Sequence, residues 1–238
     1  MLFTNRTDAG AKLGGRIKAV LPTDYPSPII LGIPRGGMEV AAAASQVSSF
    51  PYSFIVTRKL RTPNHPELAF GAVAEQGQPW LNDDVVASHG LDKETIEREV
   101  KIQRAECRRR REMLSRIFAC PSLPGHSAIV VDDGMATGAT MIAALKQARI
   151  EGAAKAVCAV PVCPDEMLTP LRSWCDQLVV LHHPAWFSAV GEFYEHFPQL
   201  EDADLERLAR GQLGISQART DRYHHSLRPG RPNQEKGP

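Results

Sequence analysis

The run SAIVVDDGMATGATMIAAL, residues 127–145, holds the densest chemistry in this 238-residue chain. An apolar strand ends in two carboxylates, Asp132 and Asp133. A loop of Gly134, Met135, Ala136, Thr137, Gly138, Ala139 and Thr140 follows and opens directly into a helix. Backbone N–H groups at a helix start, joined by the Thr137 and Thr140 hydroxyls, suit a phosphate. The two acids repel a phosphate, so the ligand must also bring a neutral polyol. A ribose 5-phosphate meets both demands, because its hydroxyls donate to the carboxylates while its phosphate rests on the loop. Upstream, Pro34-Arg35-Gly36-Gly37 ends another apolar run. Its glycines admit close approach of backbone N–H groups to an anion, and Arg35 adds charge-assisted hydrogen bonds. Taken alone, the same four residues also read as a tight strand-to-helix turn.

The 127–145 run resembles the phosphoribosyl-pyrophosphate (PRPP) motif of type I phosphoribosyltransferases, in which a hydrophobic strand, two acids and a T-G-x-T loop recur in that order. PRGG resembles the family's pyrophosphate loop. VTRKLRTP, residues 56–63, is similar to the strand end that introduces the catalytic loop of the adenine and orotate enzymes. The resemblance implies that Asp132 and Asp133 hold the ribose, that residues 134–140 hold the 5-phosphate, and that Arg35, Gly36 and Gly37 hold the pyrophosphate. It makes Arg58 and Lys59 the catalytic cations. Fixed cations stabilise a leaving pyrophosphate more in the transition state than in the ground state. A basic pair at a strand end is also common surface charge. Residues 60–76 are expected to form a lid that keeps water from the activated ribose.

PAWFSAVGEFYEHF, residues 184–197, resembles the segment after the last core strand of the hypoxanthine-guanine enzymes, where a ring stacks on the purine. Trp186 or Phe187 is the expected stacking surface, with packing of an aromatic cluster onto the domain as the competing reading. The resemblance further implies Mg²⁺ carried with PRPP and reached indirectly by Asp133, a nitrogenous base as acceptor, and a homodimer. The chain departs from the 6-oxopurine pattern at Ala136, where those enzymes have an Asp; the adenine-type pattern has Ala there. That departure removes the obvious general base. Its arrangement looks most like a bacterial branch of these transferases with an unsettled acceptor. The expected activity is that of a pentosyltransferase, which displaces pyrophosphate from PRPP. A PRTase-fold regulator that senses PRPP or a nucleotide without turnover is the alternative. A phosphatase or other sugar-phosphate enzyme is disfavoured, because the double acid sits beside a phosphate loop without a recognisable nucleophile.

The elements that would position these residues are legible from patterning. Pro28 to Ile33 is a short continuous apolar run, as in a strand covered on both faces, and a helix follows through AAAASQV. Residues 52–57 form a second strand, 61–67 a Pro-containing loop, and 70–75 a third strand with GQPWLN turning back as a hairpin arm. Asp92 to about Phe118 lacks Gly and Pro and reads as one long inserted helix with a narrow stripe of Ile96, Val100, Cys107, Leu114 and Ile117. Its Arg108–Arg111 run, interleaved with Glu99, Glu106 and Glu112, reads as a solvated face ahead of a phosphate or nucleic-acid site. KAVCAVPV and DQLVVLHH supply two further strands, with PDEMLTPLRSWC helical between them. The expected fold is α/β, a mainly parallel sheet flanked by helices, with ligands beyond the carboxyl ends of the strands. One domain covers 1–210, its core about 28–183 and a small hood about 184–200 joined by the N-terminus; 211–238 read as a disordered tail.

Composition is that of an ordinary globular chain, 43% hydrophobic with formal charge +1. Without the basic tail the remainder is slightly acidic, which argues against a nucleic-acid surface. No stretch spans a bilayer and the N-terminus lacks a signal-peptide core, so a cytoplasmic location is expected. Five cysteines without C-x-x-C spacing read as reduced and mostly buried, and His182 and His183 as surface or capping residues rather than metal ligands.

Overall fold

In a computed structural model describing residues 3–215, apart from 64 and 121, five short apolar runs become one parallel sheet. Its order is β2(Tyr52–Phe54), β1(Ile29–Gly32), β6(Ser127–Val131), β7(Lys155–Val162), β8(Gln177–His182). The three central strands are apolar at almost every position because both faces are covered. Alternate residues sort the core into two layers. Ile30, Ile129, Val131, Val157 and Ala159 pack with Leu13, Ile17, Val40, Ala41 and Ala44. These last five lie on α1(Arg6–Val20) and α2(Gly36–Ser48). Leu31, Val130, Ala156 and Cys158 pack with Met141, Ile142 and Leu145 of α5(Ala139–Ile150) and Leu171 of α6(Leu168–Arg172). The expected parallel α/β architecture is the one that forms.

Helix α1 was not expected. Its Ala9, Leu13 and Ile17 repeat every four residues on the buried face, and Asn5 caps it by accepting from Asp8 N–H at 2.9 Å. Gly10 and Gly14 obscure the pattern by lowering helix propensity, yet they allow contact with α2. A Cβ on Gly10 would stand 2.5 Å from the Val40 carbonyl oxygen, and one on Gly14 2.5 Å from that of Ala44.

Two expectations about residues 52–76 are corrected. The strand expected over 52–57 divides after Phe54, where its pairing partner β1 ends at Gly32. The chain then enters β3(Thr57–Thr62), which pairs antiparallel with β4(His65–Ala74), itself paired with β5(Trp80–Leu81). The expected loop at 61–67 is therefore largely part of a second, three-stranded sheet, and the segment 60–76 expected to serve as a lid is built from its strands. Leu60, Phe70 and Val73 are buried there against Val85 and Val86 of α3(Asp83–Ser88) and Ile96 and Val100 of α4(Lys93–Leu114). Polar and Pro residues at 61–66 pointed to a loop, whereas the alternate apolar side chains of the hairpin supply enough buried surface to hold strands.

The long helix starts at its Asp92 cap, which accepts from Thr95 N–H, and ends at Leu114. Cys107 and Leu114 join Met38, Phe54, Val56, Leu205 and Ala209, so α4 also clamps α7(Asp202–Ile215) to the sheet edge. Helix α7 runs past 211, where a tail was expected to begin; 216–238 lie outside the described residues. Cys107, Cys158 and Cys163 are buried free thiols, while Cys120 is exposed.

Candidate active site

Two loops leave the carboxyl ends of neighbouring strands β1 and β6 and lie against each other. The glycines of the first loop make this contact possible. A Cβ on Gly36 would stand 1.9 Å from Asp133 Oδ2, and one on Gly37 2.6 Å from the Val131 carbonyl oxygen and 2.9 Å from Asp132 Cα. At Gly37 the obstacle is backbone and no side chain fits, while at Gly36 a Cβ would displace the Asp133 carboxylate, so Arg35-Gly36-Gly37 and Asp132-Asp133 share one edge. Ile33 N–H donating to the Val131 carbonyl at 2.8 Å sets the register between them.

Beyond the acids, the loop divides into an anchored half and an open half. Met135 N–H donates to the Val162 carbonyl at 3.0 Å, and its side chain is buried in the core. Gly134 leaves room for Val190 of the hood; a Cβ there would meet Val190 Cγ1 at 2.6 Å. Ala136 and Thr137 are exposed. Gly138, at φ +71, takes the left-handed conformation that turns the chain into α5. The first bond of that helix runs from Ile142 N–H to the Gly138 carbonyl at 2.8 Å, so the N–H groups ahead of it have no helical carbonyl to donate to. Thr140 is half-buried in the first turn.

The two acids differ. Burial, and then the charge of Asp133, push the Asp132 carboxyl well above the usual carboxylate range; the Lys59 ammonium acts in the opposite direction. Asp132 Oδ1 accepts from Asp133 N–H at 2.9 Å. Asp133 has a counter-ion that sequence reasoning missed. Arg6 Nε donates to its Oδ2 at 2.7 Å, Arg6 NH1 donates to the Pro198 carbonyl at 2.8 Å, and the guanidinium lies 3.8 Å from the Phe197 ring centroid. Tyr194, its phenol pushed up chiefly by burial, donates its hydroxyl to the Asp133 carbonyl. Arg6 stands in no motif, and the signal that could have drawn attention to it is the Asn5 and Asp8 pattern of a helix start.

Arg58 and Lys59 are neighbours on a strand, so they serve opposite faces. Lys59 is exposed and its charge reaches Asp132. Arg58 Nε donates to Gln103 of α4 at 3.2 Å. Arg35 NH1 stands 3.5 Å from Glu201 and 3.8 Å from Asp202 at the start of α7. A cleft of about 290 Å³ between Arg6, Arg35, Gly36 and residues 197–200 separates this loop from the hood.

The segment after β8 packs with the first described residues of the chain. Phe3 N–H donates to the Phe193 carbonyl at 2.8 Å, and Glu195 N–H donates to that of Phe3 at 2.8 Å. Its rings are largely committed to one another, which bears on the expected stacking residues. Phe187 stacks on Phe193 with centroids 5.4 Å apart, whereas Trp186 is 92% exposed. His183 Nδ1 pairs with Asp165 at 2.7 Å, and His182 packs edge-on to Phe193. Among the described residues no cluster of three or more His, Cys, Asp or Glu could hold a metal ion, and no helix is long and apolar enough to cross a membrane.

Comparison with known proteins identifies the family of the chain. Residues 16–195 match the family model for the phosphoribosyl transferase domain. Two Mycobacterium tuberculosis proteins, from strains CDC 1551 and H37Rv and provisionally named phosphoribosyl transferases, are each 41% identical over 204 residues. That match covers 86% of this chain and 45% of each relative, so the chain spans less than half their length. The crystal structure of TT1426 from Thermus thermophilus superposes with a TM-score of 0.71 at 35% identity, covering 88% of this chain and 98% of that one. The chain belongs to the phosphoribosyl transferase family.

Proposed function

We propose that the chain transfers ribose 5-phosphate from PRPP to a nitrogenous acceptor and releases pyrophosphate. The observation that carries this reading is the contact of the two glycine loops, which leaves an acid pair between an anion-binding helix start and a second loop bearing Arg35. In this reading Asp132 and Asp133 accept from the ribose hydroxyls. The N–H groups of residues 136–140, with the Thr137 and Thr140 hydroxyls, hold the 5-phosphate, while Arg35, Gly36, Gly37 and Lys59 hold the pyrophosphate. Arg58, directed to α4, supports that charge from the opposite face of β3. The bond from ribose C1 to the pyrophosphate oxygen breaks with its electron pair leaving on oxygen. A bond from C1 to the acceptor nitrogen forms, and the acceptor's proton passes to solvent. Cations fixed around the departing group favour the transition state over the ground state.

Magnesium fits as an ion brought with the substrate rather than caged by protein, because the site offers a carboxylate pair and, among the described residues, no third acidic, His or Cys ligand. Bound there with pyrophosphate, it would neutralise charge on the leaving group. Asp133 is already paired with Arg6, so Asp132, crowded by its neighbour's charge, is the better placed acid to face such a cation. Trp186 remains open to an incoming ring, whereas Phe187 is engaged.

One observation favours a second reading, a PRPP-binding regulator without turnover: the segment expected to be a lid is a packed antiparallel sheet. Incubation with Mg²⁺, PRPP and a panel of purine and pyrimidine bases, following pyrophosphate release, separates the two. Release that depends on one base supports transfer. PRPP binding without release across the panel supports the regulator.

A further inference from the structure

The Arg108–Arg111 run divides in a way that its solvated-face reading does not explain. Arg108 and Arg111 lie beside Glu75, Arg111 also faces Glu151, and Arg109 pairs with Glu106. Arg110 differs. It is half-buried, and its Nε is shut off from solvent with no hydrogen-bond partner among the described residues. Burial, then the charges of Arg58 and Arg35, push its guanidinium down, partly offset by Asp202 and Glu106. Packing brings three arginines from three elements to one side of α4. Cys107 and Leu114, on the same helix face as Arg110, pack with Met38 just after the Arg35 loop and with Leu205 of α7. Asp202 at the start of α7 stands 3.8 Å from Arg35, and Arg58 on β3 donates to Gln103 of α4. The carboxylates facing them balance them poorly. Glu106 is taken by Arg109, Glu201 and Asp202 stand 3.5 Å and 3.8 Å from Arg35, and the Asp202 Oδ1 oxygen is itself buried without a hydrogen bond among the described residues. An underpaired, partly desolvated cation is costly, and it becomes favourable when an anion supplies the missing acceptors.

We propose that Arg110, delivered by the inserted helix α4, is a third arginine of the pyrophosphate cradle, acting beside Arg35 and Arg58. This inference rests on the phosphoribosyl-transfer reading and deepens it. The ligand chemistry is a diphosphate group, whether part of PRPP or free pyrophosphate. Glu201 and Asp202, at the start of α7, face Arg35 at 3.5 Å and 3.8 Å, a geometry weak enough for the diphosphate to displace them.

The test is calorimetric titration of the full chain, in Mg²⁺, with PRPP, inorganic pyrophosphate and ribose 5-phosphate, for wild type, Arg110→Gln and Arg110→Lys. Arg110→Gln is expected to weaken PRPP and pyrophosphate by roughly tenfold, the loss of one charge-assisted contact. Ribose 5-phosphate binding should not change. Arg110→Lys should recover part of the loss, since it keeps the charge without the fork. Thermal melting of Arg110→Gln should not fall, because a crowded cation has been removed; a purely structural arginine would give a lower midpoint and equal losses for all three ligands, which would overturn the inference. Wild-type PRPP binding untouched by Arg110→Gln overturns the inference alone. A wild-type chain that binds neither PRPP nor pyrophosphate overturns the phosphoribosyl reading and the inference together.

Discussion

The pair between Arg6 and Asp133 ties the unexpected first helix to the acid loop, and a double-mutant cycle isolates its strength. The two side chains are 6% and 16% exposed and meet at 2.7 Å. Arg6→Met keeps the apolar stem but leaves the Asp133 carboxylate without its counter-ion and next to Asp132. Removing one partner of a buried pair typically costs about 3–5 kcal/mol. The lower end applies here because Asp133 keeps some access to water, so about 3 kcal/mol, or a midpoint lower by roughly 6–12 °C for a chain of this size, is expected. Asp133→Asn should cost less, about 1–2 kcal/mol, since Arg6 retains the Pro198 carbonyl and the Phe197 ring. The double variant should fall short of the sum of the singles by about 1–3 kcal/mol, measured by urea unfolding at neutral pH. Additivity within about 0.5 kcal/mol would show that the contact carries no coupling and would refute the reasoning.

Three further outcomes follow from particular positions. Asp132→Asn should raise stability at neutral pH. The folded-state pKa of Asp132 lies above its unfolded value, so between the two the folded chain holds a proton that the unfolded chain has lost, and stability falls as pH rises through that window. The Asn variant lacks this fall, so its advantage in melting midpoint should open from acid to neutral pH; a gap that stays constant or reverses contradicts the assignment. Gly14→Ala should destabilise by about 1–3 kcal/mol, as its Cβ would meet the Ala44 backbone, whereas Gly15→Ala, with Val47 at 3.9 Å, should stabilise by about 0.5–1 kcal/mol. Equal effects in thermal melts would mean that α1 does not pack on α2 as described. Gly36→Ala should unseat Asp133 and weaken PRPP binding in calorimetry, and wild-type affinity in that variant would contradict the contact between the loops.

Much of the fold was readable because buried parallel strands leave unbroken apolar runs. Lys155–Val162 is bounded as expected, and α4 begins at its Asp92 cap. The features that escaped depend on tertiary partners. Gly10 and Gly14 disguised α1, since a glycine lowers local propensity whether or not it admits a neighbouring helix. Residues 61–67 were misjudged because the strength of a hairpin lies in cross-strand packing of Leu60, Phe70 and Val73 on α4, which no local window contains. In the candidate site, Asp132, Asp133 and the two glycine loops could be named because they stand in contiguous motifs. Arg6 and Arg110 come from distant segments and have meaning only through what they face. Trp186 and Phe187 show the limit of composition: both are aromatic and adjacent, but one is exposed and the other is stacked on Phe193.

The central claim is that a phosphorylated ribose is held between the acid pair and the loop that follows it. Titration of PRPP with Mg²⁺ into wild type and into the Asp132→Asn, Asp133→Asn double variant tests it most directly. The account predicts saturable binding to the wild type and a loss of about tenfold or more in the double variant, as expected when charged acceptors are removed from hydroxyl donors. Equal affinity in the two proteins would contradict it.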